Sequence, residues 1–185
     1  MRIAEVAVIY KPTAEIWWGR AEQEYVAKID AAEPPKAAKA SPVGFAENGA
    51  LDQSNADEYS RIIATPEARD YLRNRLAYII RKRIAASVTP KFNGARQVRL
   101  EIEVLGFTVP SAIQRVTLGG NPMLLAVTTL KDSVTGAELG KLDRTASAYT
   151  GQGMIGVLVD QGFDDLEDRV VQAYVSNVLS WLQAT

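Results

Sequence analysis

Two residue types with the widest chemical reach are missing from this chain of 185 residues: it has no cysteine and no histidine. Without cysteine there is no disulfide, no thiol nucleophile and no thiolate zinc site. Without histidine the usual general base near neutral pH is gone, and with it the commonest transition-metal ligand. Serine triads, zinc hydrolase sites and histidine-containing di-iron motifs are therefore excluded. Carboxylate pairs, lysine nucleophiles and Mg²⁺ sites are the chemistry that survives, and the expectation is a protein that is not an enzyme. Net charge is nearly absent too, at -1, so no global field draws the chain to nucleic acid or an anionic membrane. No apolar run approaches the roughly 18 residues of a membrane span. Glu5 interrupts the N-terminal apolar stretch, which does not read as a signal peptide.

What is present reads as one domain over 1–185, with 47% hydrophobic and 23% charged residues. Residues 3–10 are rich in Val and Ile and suit a strand, closed by Lys11, Pro12 and Thr13. Ala21, Tyr25 and Ile29 recur every fourth residue, which predicts a helix from about Trp18 to Ala32, stopped by Glu33-Pro34-Pro35. The stretch 33–57 is poor in large apolar residues and reads as a long low-complexity excursion. A strong helix then begins at Thr65 as cap with Pro66 in its first turn, and Leu72, Leu76, Ile80 and Ile84 form its apolar stripe.

The clearest pattern is Gln97 to Val104, strict polar/apolar alternation with Val98, Leu100, Ile102 and Val104 on one face. Gly106 marks a bulge before Phe107 and Val109. Residues 123–131 and 138–149 are expected to pair as a hairpin across Asp132–Gly136. A last helix from about Asp164 buries Leu166, Val170, Val171, Tyr174, Val178 and Leu182. The fold class is α+β: an antiparallel sheet of about four strands, two or three helices on one face, order β-α-α-β-β-β-α.

Two features invite function. Trp17-Trp18 is unusual because neighbouring positions on a strand or helix cannot both face one core, so one indole is a candidate partner contact. The face of the central helix opposite its apolar stripe carries Arg69, Arg73, Arg81, Lys82 and Arg83, candidates for contact with an anion. No aromatic residues are expected to interleave with them as stacking platforms and no nucleic-acid motif accompanies them, so a solvated face, or one balanced internally by Asp160, Asp164, Asp165, Glu167 and Asp168, is preferred to lipid contact and to nucleic acid. The same acidic residues lack the spacing of a calcium loop, and Gly151-x-Gly153-x-x-Gly156 follows an antiparallel strand, so no metal and no cofactor is expected.

From Arg99 onward the layout includes Gly106, Gly119-Gly120, the strand from Leu124 to Leu130, then Asp132-x-x-Thr-Gly136-x-x-Leu-Gly140, a Gly-rich loop and an amphipathic helix. Over roughly the last 90 residues this resembles small bacterial envelope lipoproteins of uncharacterised function, similar in layout to transport-auxiliary lipoproteins and to the N-terminal domain of TolB-like proteins. The resemblance implies a periplasmic domain anchored through a lipidated cysteine that this sequence lacks; a native start at Met1 would point instead to a cytoplasmic or virion component. It implies a non-enzymatic envelope component that binds a protein partner or lipid, or that self-associates through an edge strand. The alternatives are a structural or assembly protein of a phage-like particle and an enzyme working with carboxylates alone.

Overall fold

The computed structural model describes residues 1–32, 53–110, 121–148 and 166–185. Four strands, β1 (Arg2–Trp18), β2 (Gln97–Val109), β3 (Met123–Asp132) and β4 (Glu138–Ala148), lie side by side in that order. The helices are α1 (Gly19–Ala32), α2 (Gln53–Ile63), α3 (Pro66–Ser87) and α4 (Leu166–Ala184), with a 3-10 turn at Thr89–Lys91. The class is the expected α+β, with strands β2 to β4 antiparallel.

One pairing differs from expectation: β1 lies parallel to β2. Alternation along a strand reports which face is buried, not the direction of its neighbour. The helical excursion α1–α3 carries the chain across the sheet, so β2 starts at the end where β1 starts, as a crossover connection requires. β1 is also longer than residues 3–10. Its ladder breaks between Tyr10↔Val104 and Glu15↔Gly106, then resumes through Trp18↔Val109. Residues 11–14 thus stand opposite Leu105 alone, and Pro12, which has no N–H to donate, interrupts the ladder without ending the strand. A third correction concerns the excursion, whose last residues from Gln53 already belong to α2. Residues 33–52, with the Gly-rich loop and Asp160, Asp164 and Asp165, lie outside the described residues.

The core sits between one sheet face and helices α3 and α4. Val98, Leu100, Ile102 and Val104 of β2 are fully buried, as are Leu124 and Ala126 of β3. Leu72, Leu76, Ile80 and Ile84 of α3 meet them, and α4 adds Val170, Val171, Tyr174, Val175, Val178 and Leu182. Each such aliphatic side chain contributes on the order of 2 kcal/mol through removal from water. Thr65 caps α3: its hydroxyl accepts from the Ala68 N–H at 3.2 Å, with Pro66 in the first turn. The β2–β3 ladder shifts between Val104 and Gly106, the expected bulge. At the hairpin, Gly136 takes φ +72°, and the Asp132 carboxylate accepts from Thr135 N–H at 3.0 Å, Arg96 Nε at 2.9 Å and Val134 N–H at 2.9 Å. Those donors hold the Asp132 carboxyl down at about 2.

The opposite sheet face carries a charge ladder. Lys131 Nζ lies 2.8 Å from Glu101, and Arg99 reaches Glu101 and Glu5 at 3.8 and 3.6 Å. These are exposed or half-exposed pairs that contribute little individually.

Candidate functional site

Helix α3 lies along the outer edge of β1 and runs against it, so late residues of α3 meet early residues of β1. Arg81 Nε donates to the Val6 carbonyl at 3.2 Å, and the Tyr10 hydroxyl donates to the Arg73 carbonyl. Burial pushes the Tyr10 hydroxyl up to about 12, which keeps it a donor at ordinary pH. Past Tyr10 the strand bulges and the helix draws away. A groove of about 560 Å³ opens there. Residues 12–17 of β1 form one wall; Arg69, Leu72 and Arg73 form the other; Ile63 of α2 and Glu22 of α1 complete it.

The tandem tryptophans divide as strand geometry demands. Trp18 is fully buried, edge-on to Phe107 with ring centroids 5.3 Å apart, while Trp17 remains 36% exposed and lines the groove. Trp18 is therefore a packing residue, with no surface to offer a partner. The Arg75 guanidinium lies over its ring at 5.0 Å.

The basic helix face divides as well. Arg83 faces Asp168 of α4, Nε to Oδ1 at 2.6 Å, an internal balance between the two charge clusters. Arg81 is spent on the Val6 carbonyl, and Lys82 sits 6.0 Å from the Tyr78 ring on the outer side of the helix. Arg75 pairs with Glu24, which also holds Arg20 at 3.1 Å, and donates to the Tyr71 hydroxyl. The Arg75 contact keeps the Glu24 carboxyl below the usual range. Arg69 and Arg73 remain. Among the described residues neither guanidinium has a carboxylate or carbonyl partner, and Arg73 only stacks 5.4 Å from the Tyr10 ring. Both line the groove.

Sequence reasoning missed Glu22. The periodic reading placed Ala21, Tyr25 and Ile29 inward, yet α1 buries Ala21, Glu22 and Val26, while Tyr25 and Ile29 are half-buried. Glu22 is 3% exposed. Its Oε1 accepts from the Trp18 backbone N–H at 2.9 Å, capping the start of α1, and its Oε2 accepts from the Tyr59 hydroxyl at 3.1 Å, tying α2 to α1. Burial outweighs these bonds and holds its carboxyl above the ordinary glutamate value. The hint available in sequence was spacing alone: Glu22 stands four residues after Trp18, within reach of an orphan N–H at a helix start.

The groove can hold a ligand by apolar contact with Trp17, Ile16, Ile63 and Leu72 and by charge at Arg69 and Arg73. Among the described residues no three carboxylates converge as a metal site would need. No helix there is long and apolar enough to cross a membrane.

No protein-family model and no curated protein matches the sequence. Among solved structures, a candidate lipoprotein from Caulobacter crescentus CB15 is similar over 60% of this chain and 86% of its own length, at 16% identity and a TM-score of 0.36.

Proposed function

We propose that this chain is a non-enzymatic binding domain of the bacterial cell envelope, and that it engages a protein partner at the groove between β1 and α3. The observation that carries the binding site is a half-exposed indole, Trp17, beside two guanidiniums that have no carboxylate or carbonyl partner among the described residues. A large aromatic kept at the surface loses little rotamer freedom when a partner covers it and buries a large apolar area, and arginine adds directed donors next to it. The envelope setting, with anchoring through a cysteine beyond this sequence, rests on the layout from Arg99 onward. The non-enzymatic part rests on the missing histidine and cysteine, and on Glu22 already using both oxygens within the fold.

The test is site-specific photocrosslinking in a bacterial envelope fraction, with a photoreactive residue at position 17 and, as control, at Val134, which is 88% exposed on the hairpin. The expected result is one discrete adduct of higher mass from position 17 and none from 134. An adduct of twice the chain mass would favour the assembly-protein reading. The absence of any adduct at 17, or the same adduct from both positions, removes the groove as the partner site.

A further inference from the structure

Resting on that reading, we propose that the partner enters the groove as an extended acidic segment, its main chain along the bulge of β1 and its carboxylates on Arg69 and Arg73. Three observations converge on this chemistry. Along its first half β1 is closed to an incoming strand, because Arg81 caps the Val6 carbonyl and the Tyr10 hydroxyl bonds the α3 backbone. Along residues 11–14 it is not: these have no ladder partner on β2, and from Pro12 onward they line one wall of the groove. Thr13 and Ala14 each carry a backbone donor and acceptor on that wall, which an extended chain matches in spacing and a lipid tail does not.

The opposite wall supplies the charge. Arg69 and Arg73 lie one helical turn apart, so their guanidiniums project on the same side and present planar forks that suit carboxylates. The remaining cations described on α3 are held by Glu24, Val6, Tyr78 and Asp168. The N-terminus of α3 lies at the same end and its dipole favours an anion. Glu15 and Glu22 line the groove, and Glu67 and Asp70 are near its α3 wall in sequence; Glu22 uses both oxygens on the Trp18 N–H and the Tyr59 hydroxyl, while Glu15 stands on the β1 wall, which steers carboxylates toward α3. Trp17, Ile16 and Leu72 give alternate side chains of the segment an apolar surface.

The experiment uses the whole chain and two fluorescein-labelled octapeptides, one alternating Asp or Glu with Val or Leu, the other carrying Lys at every acidic position. Anisotropy titration at low salt is expected to show the acidic peptide binding at least about tenfold more tightly, with the difference shrinking as salt rises. R69E/R73E and the milder R69Q/R73Q should each abolish that preference, while R83A, outside the groove, leaves it intact; circular dichroism confirms folding of each. Equal affinity for the two peptides, or indifference to both double variants, overturns the proposal. So does sedimentation of the protein with phosphatidylglycerol vesicles in the absence of peptide binding, or a self-association that R69E/R73E abolishes, since the occupant is then a lipid or a second copy. If crosslinking from position 17 succeeds and the acidic peptide fails, the site stands and the chemistry assigned to its occupant falls; if both fail, the groove is not a site.

Discussion

The two halves of α3 carry the same residue type in opposite circumstances. From Arg75 to its C-terminal end, Arg75, Arg81 and Arg83 are each consumed by the fold, on Glu24, Val6 and Asp168. In its first two turns, Arg69 and Arg73 find no counter-charge among the described residues, and there the helix faces the stretch of β1 that has lost its ladder. A run of arginines read as sequence is one basic face. Read with its neighbours it is a short stretch that lines a groove, followed by a stretch held by the fold. The difference lies in what the facing strand does: where β1 is regular it is packed and sealed, and where it bulges it leaves a groove.

The largest effect separating the two halves should come from their packing. Ile80 is fully buried beneath the sealed half, and Ile80→Ala should cost about 2–5 kcal/mol by transfer and cavity terms together. Ile63, half-buried on the groove wall, should lose less than about 1 kcal/mol as Ala, because the site is already open to water. Urea melts of the two variants measure this. Equal losses would mean that the groove is packed as tightly as the core, and that the comparison between halves is mistaken.

A smaller effect separates the arginines themselves. Arg83→Ala breaks an ion pair whose members are 34% and 27% exposed, and should cost at most about 1 kcal/mol, shrinking with added salt. Arg69→Ala should leave stability within about 0.5 kcal/mol, as expected for a surface side chain with no partner among the described residues. In peptide binding the order reverses, with Arg69→Ala weakened and Arg83→Ala unchanged. A stability loss at Arg69 as large as at Arg83 would show that Arg69 too belongs to the scaffold.

These contrasts explain how much of the molecule could be seen in its sequence. The α3 stripe, the Thr65 cap, the β2 alternation, the bulge at Gly106 and the Asp132–Gly136 hairpin are local patterns, and local patterns survive into the fold. The parallel β1–β2 pairing was invisible, because burial alternation is the same in either direction. The groove was half legible: Trp17-Trp18 and the basic face stood out separately, yet nothing in the sequence says that residues 12–17 lie against Arg69 and Arg73. That adjacency depends on β1 continuing past Pro12, which reads as a strand end. Glu22 was hidden because a charged residue on an amphipathic helix is assigned to water by default, and its partners Trp18 and Tyr59 lie on different elements.

Glu22 also supplies the finest test of how the groove end is held. Its carboxyl titrates above the ordinary value of 4.5 because burial disfavours the charged form, against the pull of the Trp18 and Tyr59 hydrogen bonds. In the pH interval above 4.5 and below the folded value, the folded chain keeps a proton that the unfolded chain has lost. The unfolded state then binds fewer protons, so stability contributed by this group is full below about pH 4.5 and declines as pH rises through the folded value. Glu167, also raised by burial, acts in the same sense, while Asp132 acts in the opposite one, its contribution fading as pH falls from 3.8 toward about 2. Only a difference curve isolates Glu22. Glu22→Gln can still accept from the Trp18 N–H and can donate to the Tyr59 oxygen, so near pH 4 it should sit within about 1 kcal/mol of the parent. Its margin relative to the parent should then improve as pH rises from 4.5 and level off above the folded value. Glu22→Ala should lose both bonds and be the less stable variant at every pH. A parent-minus-Gln difference that is flat between pH 4 and 8 would mean the carboxylate is well solvated in the groove, and that the tie between α1 and α2 is not a buried one.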